Sequence, residues 1–301
     1  MTATKETTMT ETHTLELPDV DLVYDVHGPV PTTDGRPLLF MIGQPMQADG
    51  FADLAAQFPD RTVVTYDPRG LGRSSVRRDG RDDQTPQDQA DDLHALARYL
   101  SPDAKVDVFG SSGGAVAGLT WVSLYADDVA TLVAHEPPAT WVLPDAEAAD
   151  RAFRGVRSAY QDKGFGAGMA TFIGVTMWQG EFTDDFFARP APDPAKFGMP
   201  SEDDGSRDDP LLSERSLTVT RYEFDLDAIA SAPTRVVLGV GEETGDAITS
   251  RTARAVAERL GDDVVMFPSH HGGFVGGGPE NPYAGKPEEF GVVLRRVLDE
   301  G

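Results

Sequence analysis

The chain has no cysteine among its 301 residues, which excludes disulfides and thiolate metal sites. It has no apolar run near the roughly 18 residues a membrane helix needs. The opening segment, Met1 to Thr12, is polar and threonine-rich, without the apolar stretch of a cleaved signal. A disordered tail over residues 1–12 and a cytoplasmic location are therefore expected. Positive charge is scarce: 26 basic residues face 50 acidic ones, a formal net charge of -24, and the only lysines are Lys5, Lys105, Lys163, Lys196 and Lys286. Nucleic acid and anionic membrane surfaces would be repelled over a Debye length and are expected non-partners. The acidity itself reads as a solubility feature. The six histidines show no H-x-x-x-H spacing, so no metal and no cofactor is expected. What is present, 40% hydrophobic residues in a chain of this length, suffices for one large core, alone or with a modest insertion.

Short apolar runs bounded by turn residues recur at Leu15–Leu17, Leu22–Val26, Leu38–Ile42, Val63–Tyr66, Val106–Phe109, Thr131–Ala134, Thr234–Val240 and Val264–Phe267. These predict eight strands. The first two, separated by Pro18-Asp19, read as an antiparallel leader. From the third onward the strands alternate with helical patterns, which implies parallel strands joined by crossovers and an α/β sheet covered on both faces. Thr85-Pro86-Gln87-Asp88 places a capping threonine, a proline at the first helical position and an acid three residues on, predicting a helix to about Leu100. Between Glu136 and Ala232 the alternation stops. Helical patterns at Ala148–Gln161 and Ala167–Trp178 predict a helical cap over 140–227, inserted into a core of 13–139 and 228–301, with a loose loop at Pro190–Pro210. Trp141, Phe172, Met177, Trp178, Phe182, Phe186 and Phe187 lie in the cap, as pocket lining or as packing between helices.

Gly110-Ser111-Ser112-Gly113-Gly114 follows the strand pattern Val106–Phe109 and leads into a small-residue helix pattern. This is a nucleophile elbow: a strained strand-to-helix turn that exposes the Ser112 hydroxyl and needs minimal side chains two places either side, met by Gly110 and Gly114. The free N–H groups at the following helix start, Gly113 first, can bind a developing oxyanion. Two further segments bear on the same chemistry. Ser269-His270-His271-Gly272-Gly273-Phe274 follows the last strand pattern, and Tyr66-Asp67-Pro68-Arg69-Gly70-Leu71-Gly72-Arg73-Ser74 follows the fourth. Together the three segments resemble the α/β-hydrolase fold family, from about residue 14 to the end.

The resemblance implies a Ser-His-acid triad. It makes His271, before a small residue and an aromatic, the base, with His270 its direct competitor. For the acid, many hydrolases use an aspartate after the strand following the cap. Here that loop reads Gly241-Glu242-Glu243-Thr244-Gly245-Asp246, with Thr244 where the family's G-x-x-D spacing puts the acid, so Asp246 and Glu243 are displaced candidates. The alternative is Glu136 in His135-Glu136-Pro137-Pro138, after the strand expected beside the nucleophile's own. That segment resembles the zearalenone lactonases, whose acid is a glutamate here. Glu136 is the preferred reading. The second oxyanion donor is expected after the third strand, where Ile42-Gly43 replaces the family's usual histidine-glycine. The main-chain N–H of Gln44 would serve, with Gly43 the alternative. The Asp67–Ser74 segment reads as a structural turn.

A serine nucleophile with a histidine base implies hydrolysis of an ester or lactone of a small, fairly apolar substrate through an acyl-enzyme. The same triad supports cofactor-free perhydrolysis of the haloperoxidase type, or carbon–carbon bond hydrolysis. A non-catalytic ligand-binding protein is the reading from a different class, and an intact elbow and histidine weigh against it. Oligomeric state stays open, a homodimer included.

Overall fold

The computed structural model describes residues 10–81, 83–277, 281 and 283–300, without the side chains of 215–217. Eight strands form one sheet: β1 (Thr10–Glu16), β2 (Asp21–His27), β3 (Leu39–Ile42), β4 (Val63–Tyr66), β5 (Val106–Ser111), β6 (Val129–His135), β7 (Arg235–Gly241) and β8 (Val265–Phe267). Their spatial order is β1-β2-β4-β3-β5-β6-β7-β8. β1 and β2 are antiparallel leaders, and β4, β3, β5, β6, β7 and β8 run parallel to one another. The first strand corrects the expected tail, because Thr10, Glu11 and Thr12 pair with His27, Val26 and Asp25. Their exposed, threonine-rich sequence carries no apolar signal, and pairing to β2 is what orders them. The rest of the expected tail, residues 1–9, lies outside the described residues.

β3 leads into the short α1 (Ala52–Ala55), β4 into α2 (Pro86–Leu100), and β5 into α3 (Gly113–Leu124). After β6 come α4 (Ala146–Lys163), α5 (Phe165–Thr176), α6 (Asp184–Phe187), α7 (Glu214–Thr220) and α8 (Leu226–Ser231). α9 (Ile248–Leu260) joins β7 to β8, and α10 (Pro287–Asp299) closes the chain. Strand side chains alternate between two cores, as a pleat of period two requires. Phe40, Ile42, Val108, Leu132 and Leu238 face α2, α3 and α9, while Leu39, Met41, Phe109, Val133 and Val237 face α1 and α10. With both faces covered, the central strands β3, β4 and β5 read as continuous buried runs.

Local chemistry sets the element ends that matter. Thr85 and Asp88 form a reciprocal capping box at the start of α2, with Pro86 at its first position. The Asp67–Ser74 turn is a clamp rather than a ligand loop. The buried Asp67 carboxylate accepts Arg73 N–H at 2.8 Å and Ala48 N–H at 3.1 Å, fastening the chain after β4 to the chain after β3. Arg69 donates to Asp92 of α2 at 2.7 Å, and both residues are buried. α4 to α7 interrupt the strand alternation, and the segment 190–210 within them holds only a short 3-10 turn, Pro194–Phe197.

Candidate active site

The carboxyl edge of the parallel strands carries the chemistry-bearing residues. Ser112 follows β5 with φ 55° and ψ -124°, backbone angles sparsely populated by side-chain-bearing residues. Its N–H donates to His135 O at 2.9 Å, which pins the turn to β6. The flanking glycines are required by contact. A Cβ on Gly110 would lie 2.7 Å from Gly114 O, and one on Gly114 would lie 2.2 Å from Ile42 O. Gly113 opens α3, so its N–H has no acceptor within the helix. Gln44 lies against it: a Cβ on Gly113 would sit 2.6 Å from Gln44 O. The Gln44 side chain donates from Nε2 to Gln84 Oε1 at 2.5 Å, and the Gln44 main-chain carbonyl lies beside Gly113.

Glu136 follows β6 and is fully buried, with φ 49°. Its N–H donates to Gly239 O at 3.0 Å. Its Oε1 accepts Gly241 N–H at 2.9 Å, and its Oε2 accepts the Thr249 hydroxyl at 2.8 Å. The same Oε2 lies 2.6 Å from His271 Nδ1. Burial alone would raise the carboxyl's pKa, but the hydrogen bond and charge of His271, aided by His135, hold it well below the usual carboxylate range. An ionised Glu136 can only accept, so Nδ1 of His271 carries the proton and a neutral ring has its lone pair on Nε2.

Neither of the other acid candidates is hydrogen-bonded to the imidazole among the described residues. Asp246 is exposed and held through its own N–H, which donates to Gln179 Oε1 at 2.6 Å. Glu243 is exposed and paired with Lys286 Nζ at 2.6 Å. His270 is folded onto its own loop, its Nδ1 accepting Gly272 N–H at 3.1 Å. Ser112, Gly113, Gln44 and His271 line one cavity of about 460 Å³, and Glu136 is buried behind His271. Phe172 and Met177 also line it, whereas Trp178, Phe182, Phe186 and Phe187 form an edge-to-face cluster of their own and Trp141 packs on Phe224.

Sequence reasoning missed three residues. Thr249, near the start of α9, gave no motif signal, since only folding brings it to Glu136. His94 reads as a surface helix residue, yet its Nδ1 lies 2.6 Å from the buried Asp128 carboxylate and its ring stacks on Tyr125. His135 is fully buried among Phe109, Phe267, Phe274 and Phe290, and its ring stacks 6.1 Å from that of His271.

The sequence model described as alpha/beta hydrolase fold matches residues 36–191. The chain belongs to the alpha/beta hydrolase fold family. It is 25% identical over 278 residues to an uncharacterized hydrolase, YraK, of Bacillus subtilis (strain 168), covering 87% of this chain and 89% of that protein. Among solved structures it resembles a thermophilic esterase from Thermogutta terrifontis (TM-score 0.62, 20% identity, 97% of this chain and 98% of that one). It also resembles a hydrolase from Pseudomonas aeruginosa PA01 (TM-score 0.62, 20% identity, 95% and 98%). No described helix is long and apolar enough to cross a membrane.

Burial lowers the His135 pKa to about 4, with the charge of nearby His271 acting in the same direction and Glu136 opposing it. The unfolded chain therefore binds more protons than the folded one between about pH 4 and 6.5, and stability falls as pH falls through that window. By pH 5 the loss attributable to this residue is about 2 kcal/mol. Urea unfolding at pH 7 and pH 5 should show that loss in the wild type and a clearly smaller one in His135→Leu. An equal loss in both proteins would remove His135 as the cause.

Proposed function

We propose that the protein is a serine hydrolase of carboxylic esters or lactones, with Ser112 as nucleophile, His271 as general base and Glu136 as the acid that orients it. The observation that carries this reading is the 2.6 Å contact between His271 Nδ1 and the buried Glu136 carboxylate, with His271 and the strained Ser112 lining one cavity. A lactone needs no further machinery, because its leaving alcohol is simply tethered to the acyl group. Helices α4 to α7 act as a cap over this cavity, and the substrate is a small molecule.

The steps follow from the groups present. The Ser112 hydroxyl oxygen attacks the substrate carbonyl carbon while its proton passes to His271 Nε2. The carbonyl oxygen takes the negative charge and is held by the N–H groups of Gly113 and Gln44, which supply charge stabilisation without reorganising. Collapse of this intermediate breaks the bond to the alcohol, which leaves with the proton from Nε2. Water then attacks the acyl-enzyme, giving its proton to Nε2. The second intermediate releases the carboxylic acid as Ser112 recovers its proton. Each imidazolium stage is stabilised by the ionised Glu136, which stays unprotonated throughout.

A fluorophosphonate probe should label Ser112 in the wild type and leave Ser112→Ala unmodified. With p-nitrophenyl esters, Glu136→Gln should lower kcat by about a thousandfold or more, as expected when a triad imidazole loses its orienting carboxylate, and Asp246→Asn should stay within about threefold of wild type. An unlabelled wild type, or a larger loss in Asp246→Asn than in Glu136→Gln, contradicts the assignment. Thr249→Val removes one hydrogen bond to a charged group and should lower kcat by about tenfold, while Thr249→Ser keeps the hydroxyl and stays near wild type. Equal losses in the two variants would make Thr249 a packing residue only.

A further inference from the structure

The cavity has two chemically different ends, and the strand order says which end faces which part of an ester. Along the carboxyl edge, the loop after β3 with Gln44 lies on one side of Ser112, and the loops after β7 and β8 with Thr244 and His271 lie on the other. Under the serine-hydrolase reading, on which this inference rests, the leaving oxygen takes its proton from His271. The alcohol portion therefore lies toward β7 and β8, and the acyl portion extends the opposite way.

The end near Gln44 is mainly apolar, with the hydroxyl of Thr220 in α7 beside aliphatic and aromatic side chains. The Thr218 hydroxyl of α7 donates to Gln84 O at 3.0 Å, and Gln84 accepts the Gln44 amide, so α7 sits over this side. Val219 of α7 lines the cavity here, and α4, packed on α7, adds Phe153 and Val156. Leu211 joins them from a stretch tied to α4 by the Asp209 N–H, which donates to the Tyr160 hydroxyl at 3.0 Å.

The end near His271 gathers most of the cavity's polar side chains, beside the apolar Met177 and Ala247. Gln179, just past α5, bridges to Ala247 and accepts Asp246 N–H, which places its amide over the loop after β7. Glu243 N–H donates to Ser269 O at 2.8 Å, joining that loop to the one carrying His270 and His271. Gln179, Glu243, His270 and Tyr283 all line the cavity. Hydrogen-bonding groups there favour an alcohol that can pair with them, and an alkyl alcohol would desolvate them without replacement.

We infer that the natural substrate is an ester of an apolar, medium-length acyl group with a small alcohol bearing further hydroxyl or amide groups, and not the reverse arrangement. Two isomers, 2-hydroxyethyl hexanoate and hexyl glycolate, differ only in which side of the ester carries the six-carbon portion. After division by each ester's rate of alkaline hydrolysis, kcat/KM should favour 2-hydroxyethyl hexanoate by about tenfold or more. Val219→Trp should lower the ratio of hexanoate to acetate turnover, both as 2-hydroxyethyl esters, by about tenfold. Preference for hexyl glycolate, or an unchanged acyl ratio in Val219→Trp, overturns the inference and leaves the serine chemistry standing. Ser112 labelling without turnover of either isomer also overturns the inference alone. No labelling and no turnover overturns both.

Discussion

An ionised carboxylate buried beneath a histidine is the constraint on which this site depends. Glu136 is fully buried, and an unpaired buried charge would cost several kcal/mol. Its charge is met by the main chain of Gly241 at the end of β7, the hydroxyl of Thr249 in α9 and the ring of His271 after β8. They converge because β6, β7 and β8 are parallel neighbours that end at the same edge of the sheet. The left-handed φ of Glu136 and of Ser112 shows the same economy: both residues leave adjacent strands in backbone conformations that aim their side chains along the sheet edge.

The sheet then acts as a ruler. β3, β5, β6, β7 and β8 deliver in spatial sequence the loop with Gln44, Ser112, Glu136, the loop after β7 and His271. The helices between β6 and β7 line this row unevenly: aliphatic and aromatic side chains come from α4 and α7, and Phe172, Met177 and the Gln179 amide from α5 and its end. The aromatic residues of α6 pack on Trp178 and on each other, and so stiffen the covering helices rather than line the cavity.

Much of this was legible in the residues because local signals and tertiary needs agree. Seven of the eight apolar runs coincide with β2 to β8, the first, Leu15–Leu17, meets only the end of β1, and Thr85-Pro86 with Asp88 marks the start of α2 to the residue. The elbow was legible for a steric reason, since no residue larger than glycine fits at 110 or 114. Choosing among Glu136, Asp246 and Glu243 was not a matter of local pattern. All three follow strands at the same edge, and only folding shows that Glu136 is buried against the imidazole while Glu243 is neutralised by Lys286. Thr249, His135 and the His94–Asp128 pair were illegible for the same reason, because each matters through a partner distant in sequence. Thr10–Thr12 show the converse: a polar stretch ordered by backbone pairing alone.

The site turns on which carboxylate accepts the His271 Nδ1 hydrogen bond, and proton NMR reads that bond directly. A far-downfield Nδ1–H resonance should be present in the wild type and absent from His271→Ala. It should persist in Asp246→Asn and disappear in Glu136→Gln. A resonance that survives Glu136→Gln and is lost in Asp246→Asn would place the acid after β7 and contradict the site described here.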